Sequence, residues 1–148
     1  MLTQTADIPG MTRTYGFEAN EILNALQRQH DEARMLRTLG QSMGVEFHPK
    51  SLPLPGGGVM EIDGYSSQAN AICEVCSSNG HLSLEEQELL LMNAFKLRYA
   101  AQSLGNTVRQ ILLFRNRDAA EDFCGNEHVL EEMDGAPLEI CLITPAAA

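Results

Sequence analysis

Positive charge is what this sequence has least of. Its 148 residues include only two lysines, Lys50 and Lys96, and its ten lysines and arginines stand against twenty aspartates and glutamates, for a net charge of −10. Non-specific affinity for nucleic acid comes mainly from neutralising phosphates, so this composition excludes a broad surface for a polyanion and argues against tight duplex binding by a monomer. A local basic strip stays an alternative. Solvated helix faces are the simpler interpretation of the arginines concerned, which are Arg28, Arg34, Arg37, Arg109, Arg115 and Arg117.

The sequence also lacks long apolar segments. No run approaches the roughly 20 residues that a membrane span requires, and residues 1–14 have neither the basic start nor the apolar core of a secretory signal. We therefore expect no membrane partner and a cytoplasmic location. The length is typical of one domain, and we predict a flexible leader over residues 1–14 followed by a single domain over residues 15–148.

The four cysteines do not have the arrangement of a zinc site. Cys73 and Cys76 are three apart on a predicted strand, where such positions face opposite ways, and no second close pair of Cys or His exists. Without a secretory signal, buried thiols are the expected state. A nucleophilic Cys76 would need a nearby His or a helix N-terminus to lower its pKa, and no His lies close to it in sequence.

The first half of the chain shows one long helix and then a break. Apolar residues recur at helical spacing from Phe17 to Met43, which predicts an amphipathic helix. Prolines and three glycines between Pro49 and Gly58 predict a loop, with room for a further strand beside the hairpin that follows. This glycine run lacks the Gly-Lys-Ser/Thr ending of a phosphate-binding loop.

The second half begins with a capped helix. Ser83 and Glu86 have capping-box spacing and Gly105 supplies a C-terminal stop, so we predict a helix between them whose apolar residues occupy more than one side. A strand over Val108–Phe114, a short helix opening at Asp118, a second helical piece over Glu127–Met133, a turn at Asp134 and Gly135, and a strand over Leu138–Ile143 complete the predicted order.

This order predicts the fold class. A strand, a helix and a further strand favour a right-handed parallel crossover, whereas the hairpin is antiparallel. The predicted fold is therefore α/β (α+β), with a mixed central sheet of four to five strands and helices on both faces.

The hairpin carries the most informative pattern of the chain. Side chains alternate along a strand, so pairing of an odd position with an even one places four polar or thiol residues on one face: Glu61, Asp63, Glu74 and Cys76. The other face would hold Met60, Ile62, Cys73 and Val75. Like charges at this separation repel and raise each other's pKa unless a cation or a donor intervenes. The cluster is either a solvated face or a metal site.

The whole order, with an acidic residue closing one hairpin strand and Glu74 on the next, resembles the restriction-endonuclease-like superfamily, the PD-(D/E)XK phosphodiesterases. The resemblance implies that Asp63 and Glu74 bind Mg²⁺ (or Mn²⁺), that a helical acid, Glu18 or Glu21, assists them, and that Gln87 fills the place of a helical Gln found in some branches. It also implies a lysine that orients the attacking water.

The chain departs from this motif at the lysine. Cys76 stands two positions after Glu74, where the lysine belongs, and a thiol supplies no fixed positive charge. Lys96 is the only lysine on the predicted buried helix and is the candidate replacement. Two functions stay open: a Mg²⁺-dependent nuclease that uses Asp63, Glu74, Gln87 and Lys96, and a non-catalytic homodimeric interaction protein that keeps the nuclease-like fold.

Overall fold

The computed structural model describes residues 11–124 and 137–143, and for residues 11–18 the backbone alone. The elements in chain order are α1 (Met11–Met43), β1 (His48–Pro53), β2 (Val59–Ser66), β3 (Ala71–Cys76), α2 (Leu84–Ser103), β4 (Arg109–Phe114), α3 (Arg117–Cys124) and β5 (Leu138–Leu142). The helical piece predicted over Glu127–Met133 and the turn at Asp134 and Gly135 lie outside the described residues.

The first helix is longer than its apolar pattern predicts. It begins at Met11, six residues before Phe17, and ends at Met43 as expected. Residues 11–14, predicted as leader, are therefore helical, and residues 1–10 lie outside the described part. The chain divides within α1 into two units, residues 1–33 and 34–148. The single domain expected over residues 15–148 stays a prediction.

The five strands form one mixed sheet in the order β1-β2-β3-β4-β5. The pairs β1/β2 and β2/β3 are antiparallel, whereas β3/β4 and β4/β5 are parallel. The parallel pairs follow because α2 and α3 each carry the chain back along the sheet between strands. The predicted class, a mixed sheet with four to five strands, is confirmed.

The first strand was predicted as loop. Residues His48–Pro53 pair with β2 in spite of Pro49 and Pro53, and Leu54 N–H donates to Gly58 O at 3.1 Å to close the connection. Proline lacks an N–H and is tolerated at the edge of a sheet, and β1 is the edge strand here. The loop is therefore confined to the residues after Pro53, where the glycines lie.

Helices cover both faces of the sheet, as predicted. One face packs residues such as Ile72, Cys76 and Leu112 against the buried side of α2, including Leu97. The opposite face packs Cys73, Val75, Ile111 and Leu113 against Met35 and Leu39 near the end of α1. These two apolar layers are the core of the second unit, and we call them the α2 face and the α1 face of the sheet.

A β-bulge in β2 corrects the face assignment made from the sequence. Between the pairs His48↔Tyr65 and Lys50↔Ile62, β2 contains one residue more than β1, so the extra residue falls at Asp63 and Gly64. As a result Ile62 packs on the α2 face whereas Cys73 packs on the α1 face. The prediction that Met60 and Ile62 share a face with Cys73 and Val75 is wrong, because the bulge breaks strict alternation.

A side chain at position 64, within the bulge, would meet two neighbouring side chains at close range. A Cβ on Gly64 would lie 2.9 Å from Leu36 Cδ2 and 3.2 Å from Phe47 Cβ. Leu36 belongs to the part of α1 that lies in the second unit. The absence of a side chain at position 64 therefore lets α1 approach the sheet directly behind the bulge.

The buried helix α2 begins as the sequence predicts. Ser83 Oγ accepts from Glu86 N–H at 3.1 Å, and Glu86 Oε1 accepts from Ser83 N–H at 3.0 Å, which completes the capping box. Gly105 follows the helix with φ of 104°, a conformation that glycine adopts without strain. Among the described helices, none has a stretch long and apolar enough to cross a bilayer.

We expect Gly64→Ala to destabilise the second unit by about 1–3 kcal/mol, because the new methyl group collides with Leu36 and Phe47. Urea denaturation measures the free energy of unfolding. Gly80→Ala is the matched control, since a Cβ there meets no atom within 4 Å. Equal stability of the two variants would contradict the close approach of α1 to the bulge.

Candidate carboxylate and lysine site

Asp63 and Glu74 meet at the point where β2 and β3 part. The paired residues of β2 and β3 end at Gly64 and Cys73, and Asp63 and Glu74 are the next residues of the two strands. There side chains replace the backbone ladder: Asp63 N–H donates to Glu74 Oε2 at 2.7 Å, and Val75 N–H donates to Asp63 Oδ2 at 3.0 Å. The pairing of an odd with an even position, on which the predicted convergence depended, is confirmed.

Lys96 completes the group from α2. Its Nζ lies 2.7 Å from Glu74 Oε1, and the side chain is 29% exposed, whereas that of Glu74 is 2% exposed. A single carboxylate thus accepts from a lysine on one oxygen and from a backbone N–H on the other. Lys96, the sequence-predicted replacement for the missing motif lysine, reaches the acidic residue across the helix-sheet interface.

The Glu74 carboxyl has the strongest perturbation at this site. Burial first, and then repulsion from the Asp63 carboxylate, raise the pKa of Glu74 to about 7. The hydrogen bonds from Lys96 and from Asp63 N–H favour the ionised form and oppose this rise. The result is a buried carboxyl that exchanges its proton near neutral pH.

Cys76 does not take the place of a lysine. It is buried in the apolar layer of the α2 face, two positions beyond Glu74 on the same side of β3. Cys73 lies on the opposite face, as strand alternation predicts, and this separation is inconsistent with a zinc site built on the two thiols. Burial, with the nearby carboxylates of Asp63 and Glu74, raises the pKa of Cys73 well above its ordinary value, so this thiol stays protonated.

The structure places Gln87 at the start of α2. Its Nε2 donates to Leu82 O at 3.2 Å, across the turn that leads into the helix. Gln87 precedes Lys96 by nine residues, which is roughly 13 Å along a helix axis. This contact joins Gln87 to the turn before α2, whereas Lys96 contacts Glu74 from further along the helix.

Of the other acidic candidates, Glu61 is described in the same unit as the pair and lies apart from it. Glu61 is exposed and accepts from Ser51 Oγ at 3.1 Å on β1, so its predicted place on the face of Asp63 is wrong, again because of the bulge. Glu21 is exposed and belongs to the first unit, and the side chain of Glu18 lies outside the described residues.

A magnesium site on Asp63 and Glu74 stays a prediction. No group of three or more His, Cys, Asp or Glu residues within 11–124 and 137–143 is arranged for a metal. Mg²⁺ is usually bound by one or two carboxylates together with water and substrate phosphate, and the Asp63 and Glu74 pair matches that number. Asp63 is partly exposed, and its Oδ1 accepts no hydrogen bond from the described part of the chain.

The contact between Asp63 and Val75 N–H has a signal in the sequence. An isolated glycine inside a strand pattern, here Gly64 in β2, indicates a bulge, which re-aims the side chains beside it. Here the bulge turns Asp63 toward Val75 N–H. The contact between Lys50 Nζ and the Tyr65 ring has no such signal, because it depends on the register of β1 against β2.

No protein family matches this chain, and no curated protein or solved structure is significantly similar to it. The resemblance to restriction-endonuclease-like enzymes therefore stays a prediction.

Glu74 makes the stability of the protein depend on pH in a defined direction. The carboxyl ionises near 4.5 in the unfolded chain but near 7 in the folded one, so the folded state holds more protons between these values. Its contribution to stability is complete below about pH 4.5 and is lost as pH rises to 7, by on the order of 3 kcal/mol.

We expect Glu74→Gln to remove the loss of stability that accompanies ionisation of Glu74. The difference in unfolding free energy between wild type and variant should therefore change between pH 4.5 and 7 and stay constant above pH 7. Urea titrations at half-unit pH steps measure the difference. The control is Glu61→Gln, a neutralisation of an exposed glutamate on the neighbouring strand. A parallel pH profile for wild type and Glu74→Gln would contradict the raised pKa of Glu74.

Proposed function

We propose that this protein is a Mg²⁺-dependent phosphodiesterase acting on nucleic acid, with Asp63, Glu74 and Lys96 as its catalytic group. The observation that supports this best is the 2.7 Å approach of Lys96 Nζ to Glu74 Oε1, with Asp63 bonded to the same carboxylate through its backbone N–H. Two carboxylates and a lysine are the three charged groups that the PD-(D/E)XK motif combines. The proposal includes distant membership of that superfamily.

Asp63 and Glu74 would hold the ion. A hard cation polarises a phosphoryl oxygen and lowers the pKa of bound water. Asp63 Oδ1 would be the oxygen that binds the ion, because Oδ2 already accepts from Val75 N–H. Glu74 needs to be ionised to bind a cation, so metal binding at pH 6 would release a proton from it.

Lys96 would supply the fixed positive charge that Cys76 cannot. In the sequence motif the lysine stands two residues after the glutamate, on the same strand face. Here the thiol at that place is buried, whereas an ammonium group arrives at the glutamate from the helix that covers the face. An ammonium beside the metal ligands can orient water and stabilise the negative charge that develops on phosphorus oxygens.

The role of the three groups is tested by cleavage of plasmid and single-stranded DNA in Mg²⁺ or Mn²⁺. We expect Asp63→Asn, Glu74→Gln and Lys96→Gln each to reduce the cleavage rate at least about 100-fold, because each removes a charge that acts on the reacting phosphate. Glu61→Gln and Glu85→Gln, both exposed, are controls that should retain wild-type rates.

Thermal denaturation of each variant separates lost chemistry from lost folding. Glu74→Asp is a second check, since it keeps the charge but withdraws the carboxylate from Lys96. Wild-type protein that cleaves neither substrate in either metal, or Asp63→Asn that cleaves at the wild-type rate, would overturn the proposed activity.

A second candidate is a homodimeric interaction protein, and exposed apolar residues on α2 favour it. Leu84, Leu89 and Met92 are 78%, 60% and 66% exposed, on the side of the helix away from the sheet. Leu89 and Met92 line a cleft of about 510 Å³ together with Leu91 and Phe95. An apolar surface of this kind on a monomer marks an interaction site, and a second copy of the chain presents the same surface for a two-fold symmetric contact.

We expect Leu89→Glu to shift such a dimer to monomer in sedimentation equilibrium, because a charge would be buried at the centre of the contact. Gln102→Glu adds the same charge at an exposed position near the other end of α2 and should leave the dimer intact. A wild-type protein that stays monomeric at high micromolar concentration would contradict this second function.

A further inference from the structure

We propose that Lys50 binds a phosphate of the substrate beside the carboxylate pair and that Tyr65 positions it. This inference rests on the proposed function, which it extends from a reacting phosphate to a chain of consecutive phosphodiesters. It concerns a part of the sheet that the Asp63, Glu74 and Lys96 group does not occupy.

The register of β1 sets the side of the sheet on which Lys50 lies. Lys50 pairs with Ile62 and Leu52 pairs with Met60. Ile62 and Leu52 are both buried in the apolar layer of the α2 face. Directly paired residues present their side chains to the same side of a sheet. Lys50 therefore projects on the side of Glu74 and Lys96.

Tyr65 holds the Lys50 side chain on that side. Lys50 Nζ lies 5.2 Å from the centre of the Tyr65 ring, within the range of a cation–π contact. The ring itself is partly buried and packs on the apolar layer of the α2 face. The ammonium is thus held against a fixed aromatic surface rather than extended into solvent from the edge strand.

Tyr65, which contacts the Lys50 ammonium, lies close to the carboxylate pair along the strands. Tyr65 follows Asp63 by two residues on β2, and its partner Ile72 precedes Glu74 by two residues on β3. Two residues span less than about 7 Å along a strand. Both lysines of the chain therefore lie on one face of the sheet, on either side of Asp63, in a protein whose net charge is −10.

A cleft extends the same surface past Tyr65. Its volume is about 310 Å³, and the residues that line it include His48, Ser67 and Gln68 together with Glu46. Hydroxyl, amide and imidazole groups hydrogen-bond to sugar and phosphate oxygens. A single strand that runs from Asp63 across Lys50 into this cleft would place one phosphate at the carboxylates and its neighbour at Lys50.

The test measures binding and cleavage of a fluorescein-labelled single-stranded oligonucleotide. We expect Lys50→Gln to raise KM about tenfold with kcat within about twofold of wild type, and to reduce the slope of log affinity against log salt by about one. Lys50→Arg should restore most of the affinity. Tyr65→Phe should keep it, whereas Tyr65→Leu should lose part of it, because only the first variant retains the ring.

Arg28→Gln is the matched control, since it removes one positive charge from an exposed position in the first unit. Cleavage by wild type with equal KM for Lys50→Gln and Arg28→Gln would overturn this inference and leave the proposed activity standing.

Affinity measured in EDTA by fluorescence anisotropy separates the two proposals further. A wild-type protein that binds the oligonucleotide through Lys50 but never cleaves it would support the phosphate site and overturn the activity. A wild-type protein that neither binds nor cleaves the oligonucleotide would overturn both.

Discussion

The second unit is organised around one buried carboxylate. Glu74 lies in the middle of the sheet, beneath α2, where an unpaired charge would be very costly. Lys96 from the helix and the Asp63 N–H from the neighbouring strand each bond to one of its oxygens. These two bonds join β3 to α2 and to β2 at a single buried carboxylate.

The bulge at Asp63 and Gly64 connects this carboxylate to the opposite face of the sheet. An extra residue in β2 lets Asp63 reach Val75 N–H, so the parting strands stay joined through side chains. The same residue pair allows Leu36 of α1 to approach, since position 64 carries no Cβ. A local irregularity thus determines side-chain orientation on one face and helix packing on the other.

The distribution of charge limits where the proposed activity could act. An acidic chain repels a polyanion, so any contact with nucleic acid must come from a small region where cations are concentrated. Lys50 and Lys96 lie on the same face of the sheet, and each is held by a neighbouring side chain, a tyrosine ring in one case and a carboxylate in the other. A local site of this kind favours a single flexible strand over a duplex, which would also meet the acidic surface around it.

The sequence by itself determined the local features and most of the element order. The capping box at Ser83, the pairing of an odd with an even position in the hairpin, and the mixed sheet with helices on both faces follow from short patterns, because each depends on residues a few positions apart or on one chain reversal. The convergence of Asp63 and Glu74 was predictable for the same reason.

Only the tertiary structure decided which distant residues complete the site. Lys96 contacts Glu74 whereas the described contact of Gln87 lies at the helix start, and this choice depends on how α2 is aligned over the sheet. The pairing of β1 in spite of its prolines, and with it the position of Lys50 over Tyr65, depends on that strand having an edge to occupy. Such features arise from packing between segments far apart in sequence, and no local pattern encodes the distance between them.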